Sequence, residues 1–153
     1  MKWFHKIGIP WGKAFFFYAV GRGNLVNLKW LYDNGCPWGT DAFNRGADYG
    51  KLENMKWLYE KGCPWTKHTF AAAARYGSIE NMKWLKKVKC PWGFHTMLDA
   101  ARYGSLDNLE WLKKKRCPWG TTTMVQARET IYGVSANHAN VLVWMQANGC
   151  PEC

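Results

Sequence analysis

Cys63-Pro64-Trp65 is one of four identical triplets, the others being Cys36-Pro37-Trp38, Cys90-Pro91-Trp92 and Cys117-Pro118-Trp119. Ile9-Pro10-Trp11 is a variant of it and Cys150-Pro151 a truncated copy. The first five copies stand 27 residues apart, and the last step is 33. A second tryptophan keeps the same beat at Trp3, Trp30, Trp57, Trp84, Trp111 and Trp144. A fixed period of this size is the mark of a stacked repeat array.

The stretch from Trp65 to Trp92 shows what one unit contains. Lys67–Tyr76 holds the alanine run Ala71–Ala74, which favours helix. Gly77 is expected to end that helix in the left-handed region, and Ser78 to cap the next. Ile79, Met82, Trp84 and Leu85 give the second helix an apolar face at helical spacing. Cys90-Pro91-Trp92 then turns the chain into the next unit, since proline cannot continue a helix. The same reading predicts first helices at 13–22, 40–49, 67–76, 94–103 and 121–136, and second helices at 24–34, 51–61, 78–88, 105–115 and 138–148. Gly23, Gly50, Gly77 and Gly104 separate the two helices. Gly35, Gly62 and Gly149 end the second helix, whereas Lys89 and Arg116 hold that slot elsewhere. Non-glycine residues are uncommon at positive φ, so those two turns are expected to differ in shape. In the fifth unit Asn137-His138 replaces the Gly-Ser pair, and the extra residues, about 129–135, are expected to lengthen the first helix or form a loop.

Bulk properties agree with one folded domain over residues 1–153. It divides into a half repeat at 1–11 and repeats at about 12–38, 39–65, 66–92, 93–119 and 120–153. With no capping repeat evident at the N-terminal end, more protein or a partner is expected to cover it. Hydrophobic residues make up 48% and aromatics 16%, which excludes a disordered chain. The net charge of +10 favours acidic partners, although it also serves simply to keep an aromatic-rich chain soluble. Stacked units place the in-phase cysteines about one helix-packing distance apart, too far for disulfides. They are expected to be buried free thiols, which fits an intracellular, cytoplasmic setting. Cys150-Pro151-Glu152-Cys153 is a solitary C-x-x-C at the terminus and a weak metal or redox signal. No signal-peptide h-region is visible, and the longest apolar run, Ala14–Val20, is too short for membrane insertion.

Ala100–Leu112, reading Ala-Ala-Arg-Tyr-Gly-Ser-Leu-Asp-Asn-Leu-Glu-Trp-Leu, resembles the ankyrin repeat phrase in which alanines, a glycine and a polar cap precede a leucine-rich helix. Asn137-His138-Ala139-Asn140-Val141-Leu142 is closer still. Where ankyrin units carry Gly-Ala-Asp, this chain has Gly35-Cys36-Pro37 and Gly62-Cys63-Pro64. The short Cys-Pro-Trp unit is similar to ankyrin-like arrays of large DNA viruses of protists and of some algae and oomycetes. The resemblance implies an all-α, ankyrin-like helical-repeat solenoid with shortened hairpin loops, and protein binding. Binding should move to the exposed face of the first helices, because the usual fingers are missing.

On that face Arg22, Tyr49, Tyr76 and Tyr103 share one phase, and Gly21, Asp48, Arg75 and Arg102 the phase before it. One turn earlier Tyr18, Arg45, Ala72, Asp99 and Gln126 vary freely. Stacking would make Tyr49, Tyr76 and Tyr103 a ladder flanked by Arg75 and Arg102, the residue types richest in binding hot spots. The competing reading packs the rings between repeats with arginine covering them. A second candidate is the basic patch Lys86, Lys87, Lys89, Lys113, Lys114, Lys115 and Arg116. It reads either as helix-dipole compensation or as a footprint for nucleic acid or an acidic protein. The Trp residues of both phases are expected in the core.

Catalytic signals are absent. His68 and His95 share a phase, but units about 10 Å apart would hold them too far apart for one zinc. Glu53, Glu80 and Asp107 recur where carboxylates favour a helix N-terminus. No phosphate loop, nucleophile elbow or zinc signature occurs. The sequence therefore predicts a non-catalytic protein-interaction scaffold with no cofactor or metal. Alternatives are a structural component of a viral particle or large assembly, or a nucleic-acid or acidic-partner binder using the Lys/Arg edge.

Overall fold

The computed structural model describes residues 12–103, 106–130 and 136–151. Within them the chain is helical, with no strand. The first helices of the units are α1 (Lys13–Arg22), α3 (Thr40–Tyr49), α5 (Lys67–Arg75), α7 (Phe94–Arg102) and α9 (Thr123–Thr130). The second helices are α2 (Leu25–Asp33), α4 (Leu52–Glu60), α6 (Ile79–Lys87), α8 (Leu106–Lys114) and α10 (Ala136–Ala147). Each first helix packs most closely on the first helix of the next unit. Each second helix leans on its own partner, and α2, α4, α6 and α8 also pack one on the next. This is a helical repeat of two rows.

Period explains the core. Phe16, Phe43, Phe70, Met97 and Met124 are buried in the first row. Leu28 and Leu31, Met55 and Leu58, Met82 and Leu85, Leu109 and Leu112, then Val141 and Met145 answer them from the second. Small residues let the first helices close on each other: a Cβ on Gly46 would come within 3.0 Å of Val20 Cγ1 and 3.3 Å of Leu58 Cδ1.

The tryptophans sit less deep than expected. Trp57 is buried; Trp30, Trp38, Trp65, Trp84, Trp92, Trp111, Trp119 and Trp144 are half-buried at the core margin. The centre is taken by phenylalanine, methionine and leucine, which leaves the indoles as a seam along one edge. Neighbouring units do meet there: Trp38 lies 5.9 Å from Trp57, Trp92 6.3 Å from Trp111, and Trp119 6.3 Å from Trp144.

A polar seam lies beside the apolar one. Asn54, Asn81 and Asn108 are buried at one phase of α4, α6 and α8. Each Nδ2 donates to two carbonyls ending the preceding unit's first helix: Val20 and Gly23, Ala47 and Gly50, then Ala74 and Gly77. Those carbonyls have no helical partner of their own. The thiols add a weaker set. Cys63, Cys90 and Cys117 donate to the carbonyls of Gly39, Thr66 and Gly93 at 3.5, 3.7 and 3.5 Å. The five described cysteines are buried thiols, none of them in a disulfide. Burial pushes the thiols of Cys63, Cys90 and Cys117 up to about 12, so they stay protonated donors.

Several local expectations need correcting. Gly23 and Gly50 are extended, at φ −83° and −81°, and Gly77 too lies outside the left-handed region. Glycine is needed there for space: a Cβ on Gly50 would sit 2.6 Å from the Gly46 carbonyl, and one on Gly77 would strike the Ala47 carbonyl of the preceding unit. The turns at Lys89 and Arg116 do not differ in shape from their glycine counterparts. Their φ values, 62° and 59°, match the 73°, 74° and 78° of Gly35, Gly62 and Gly149. In every unit the next cysteine amide donates to a carbonyl five residues back, Cys90 to Leu85 as Cys63 to Leu58, and that bond imposes the left-handed residue.

In the fifth unit α9 is described from Thr123 to Thr130, and the expected continuation over 131–135 lies outside the described residues, while Ala136 belongs to α10. Asn137 and His138 lie inside α10 and do not replace the Gly-Ser pair. Some of the extra residues thus go to a second helix of 12 residues. The half repeat, Gly104, Ser105, residues 131–135 and Cys153 lie outside the described residues.

Candidate binding face of the first helices

Stacking at a fixed period turns one helical position into a line of neighbours. Tyr49 and Tyr76 stack at 5.2 Å with their planes 27° apart, and Tyr76 meets Tyr103 edge-on at 4.8 Å. The rings pack on each other between repeats, yet stay 48%, 47% and 41% exposed and so remain accessible from outside. Tyr18 is still more open and meets Phe17 edge-on. Arg22, at the ladder's phase in α1, is exposed.

Arginines and carboxylates alternate beneath the rings. The Arg45 guanidinium lies 5.0 Å over Phe17 and 4.2 Å over Tyr49. Arg75 Nη2 donates to Asp99 Oδ2 at 3.1 Å, and its guanidinium covers Tyr103 at 4.9 Å. Burial acts to lower the Arg75 pKa, but Asp99 and Asp48 outweigh it and leave it raised. Arg102 is half-buried in the last turn of α7. Asp48 is the outlier. Its burial pushes the carboxyl up to about 6, against the pull of Arg75 and Arg45, with Asp99 adding to the rise. Its Oδ1 is buried without a hydrogen-bond partner.

These groups open on a groove of about 650 Å³ across α1, α3 and α5. Of the sequence candidates, Tyr18, Arg45, Tyr49 and Arg75 line it, whereas Tyr76, Arg102 and Tyr103 extend the ladder beyond it and Arg22 stands apart. Phe17, Asp48 and Asp99 had not been read as site residues. The alternation of Asp48 with Arg75, and of Arg45 with Asp99, one turn apart is a signal for the two carboxylates, whereas Phe17 has no comparable signal in the sequence.

His68 and His95 are closer than helix spacing predicts, with ring centroids 6.0 Å apart. Side chains on close-packed helices lean together even when the axes do not. Among the described residues no group of three or more His, Cys, Asp or Glu is arranged to hold a metal ion. No helix among the described residues is long and apolar enough to cross a membrane.

The basic patch lies at the other end of the unit. Lys86 Nζ sits 3.5 Å over the Trp92 ring. Lys113 Nζ donates to Asn148 Oδ1 at 2.6 Å and lies 6.0 Å over Trp144. Lys87, Lys89, Lys114, Lys115 and Arg116 are exposed. Neither a protein-family model nor a curated protein matches this chain, so the reading of both surfaces rests on their geometry.

Proposed function

We propose that this chain is an ankyrin-like helical-repeat solenoid with short hairpin loops, acting inside the cell as a non-catalytic protein-interaction scaffold. The partner docks on the first-helix face. The observation that carries this reading is the Tyr49–Tyr76–Tyr103 ladder: large rings, nearly half exposed, in a continuous line that the core does not need. Tyrosine offers contact area at low entropy cost, and the groove beside it supplies Arg45, Arg75 and an unpartnered Asp48 oxygen for polar pairing. The first helices pack on one another along the array, which supports a surface presented pre-formed.

The test is affinity capture from native cells with wild type and a Tyr49→Ala/Tyr76→Ala/Tyr103→Ala variant, identified by mass spectrometry. A specific partner should be retained by wild type and lost by the variant, about a 100-fold weakening if each ring contributes about 1 kcal/mol. The variant should still unfold cooperatively. Equal capture by both proteins would overturn the reading.

A further inference from the structure

Three slots at the end of the second helix change character together between the second and third units. The first two units carry Tyr32, Asp33 and Gly35, then Tyr59, Glu60 and Gly62. The next two carry Lys86, Lys87 and Lys89, then Lys113, Lys114 and Arg116. The turn itself is the same in all four, with the same left-handed residue and the same cysteine hydrogen bond. The fold thus works with an acid and a glycine at these positions.

Two structural explanations fail on that comparison. If the helix dipole required cations, α2 and α4 would carry them, yet neither has a basic residue in its last turn. If tryptophan covering required a cation, Tyr32 over Trp38 and Tyr59 over Trp65 would not suffice, and they do, at 4.9 and 5.1 Å. Lys89 and Arg116 also bear the strain of a left-handed backbone, which glycine avoids in the sister units. Strain kept where the fold offers a relaxed alternative points to a use for the side chain.

We infer that the second-helix ends of the third and fourth units form an electrostatic site for the phosphate backbone of nucleic acid. Lys87, Lys89, Lys114, Lys115 and Arg116 are exposed. None of them forms an ion pair with another described residue, whereas Arg75 on the first-helix face is paired with Asp99. Glu110 shares a shallow depression with Lys113, Lys114, Trp144 and Asn148, and its single charge leaves the cluster strongly positive. Lysine is depleted in protein–protein interfaces, where tyrosine, tryptophan and arginine serve as anchors. The indoles beside the patch, Trp92 and Trp144, are half-buried with Lys86 and Lys113 over their rings, so lysine dominates the exposed surface, which suits a row of phosphates better than an acidic protein. Recognition of this kind is sequence-independent and falls steeply with salt.

The test uses fluorescence anisotropy of labelled, mixed-sequence single-stranded and duplex DNA of about 30 nucleotides, across about 50–200 mM salt. Wild type should bind with an affinity that drops steeply over that range. Lys89→Gly/Arg116→Gly should flatten the slope by about two and weaken binding about tenfold at the lowest salt. The same pair should not lower the melting temperature, and should raise it by about 1–4 °C per site as strain is relieved. Lys29→Gln/Lys56→Gln removes as much charge from exposed sites on α2 and α4 and should leave DNA binding unchanged. Absence of DNA binding at about 50 mM salt overturns the inference. So does equal weakening by the two pairs, which would make binding a matter of net charge. Tighter binding of polyglutamate than of either DNA would likewise overturn it and assign the patch to an acidic protein.

Discussion

The asparagine seam and the turn that ends each second helix recur with the same period, but they vary differently along the chain. Asn54, Asn81 and Asn108 are identical, equally buried and bonded to equivalent carbonyls. The turn keeps its backbone yet runs Gly35, Gly62, Lys89, Arg116 and Gly149. Identity between copies within one chain shows what stacking requires. Variation at fixed geometry marks what stacking leaves free. The first-helix face divides the same way, with Phe16, Phe43 and Phe70 inside and Tyr18, Arg45, Ala72 and Asp99 varying outside.

The largest effect should come from breaking the seam. Asn108→Ala leaves the Ala74 and Gly77 carbonyls, now bonded at 3.1 and 3.2 Å, without partners in a buried site. The expected loss is about 2–4 kcal/mol of unfolding free energy in urea titrations. Asn27 has the same phase but is exposed, and Asn27→Ala should cost less than about 0.5 kcal/mol. Equal costs would mean that the asparagine serves its own helix and not the joint between units.

Asp48 gives an intermediate effect with a defined sign. Its carboxyl is raised from 3.8 to about 6, so the folded state holds the proton more tightly than the unfolded chain. The stability this confers is complete below about pH 4 and is lost as pH rises toward about 6. Discounted for partial exposure, the loss across that window is about 1–2 kcal/mol. Asp48→Asn should flatten that part of the profile and be the more stable protein at pH 7, read from melting curves at each pH. A profile unchanged by Asp48→Asn would show that the groove does not desolvate the carboxylate.

Helix limits, thiol burial and the Ser78 cap, which accepts from the Asn81 amide at 3.2 Å, were legible because local propensity and period agree there. Depth was not legible. A 27-residue beat says that tryptophans of neighbouring units meet, but not that Phe43 and Met55 take the centre before them. Nor does helix spacing give side-chain spacing, and the histidine pair shows the difference. In the site, residue type and phase found Tyr49, Tyr76 and Arg75. The burial that perturbs Asp48 depends on α1 and α5 closing over α3, a tertiary fact. The turns at Lys89 and Arg116 were misread for the opposite reason. Residue identity argued against a left-handed backbone, and a hydrogen bond five residues back overrode it.

That override yields the smallest prediction. Nothing lies within 4 Å of a Cβ built on Gly62, so Gly62→Ala adds no clash, only the strain of an L-residue at φ +74°. That strain is about 1–2 kcal/mol, offset in part by about 0.5–1 kcal/mol from the lost flexibility of glycine in the unfolded chain. The net cost should be about 0.5–1 kcal/mol. Lys89→Ala produces the same residue in the same turn, but its parent already bears the strain, so the change should stay within about 0.5 kcal/mol. Measured side by side in urea, the pair isolates backbone strain from everything else in the unit. If both substitutions cost the same, the left-handed turn carries no penalty in this repeat, and Lys89 and Arg116 stand there without the strain that sets them apart from Gly62.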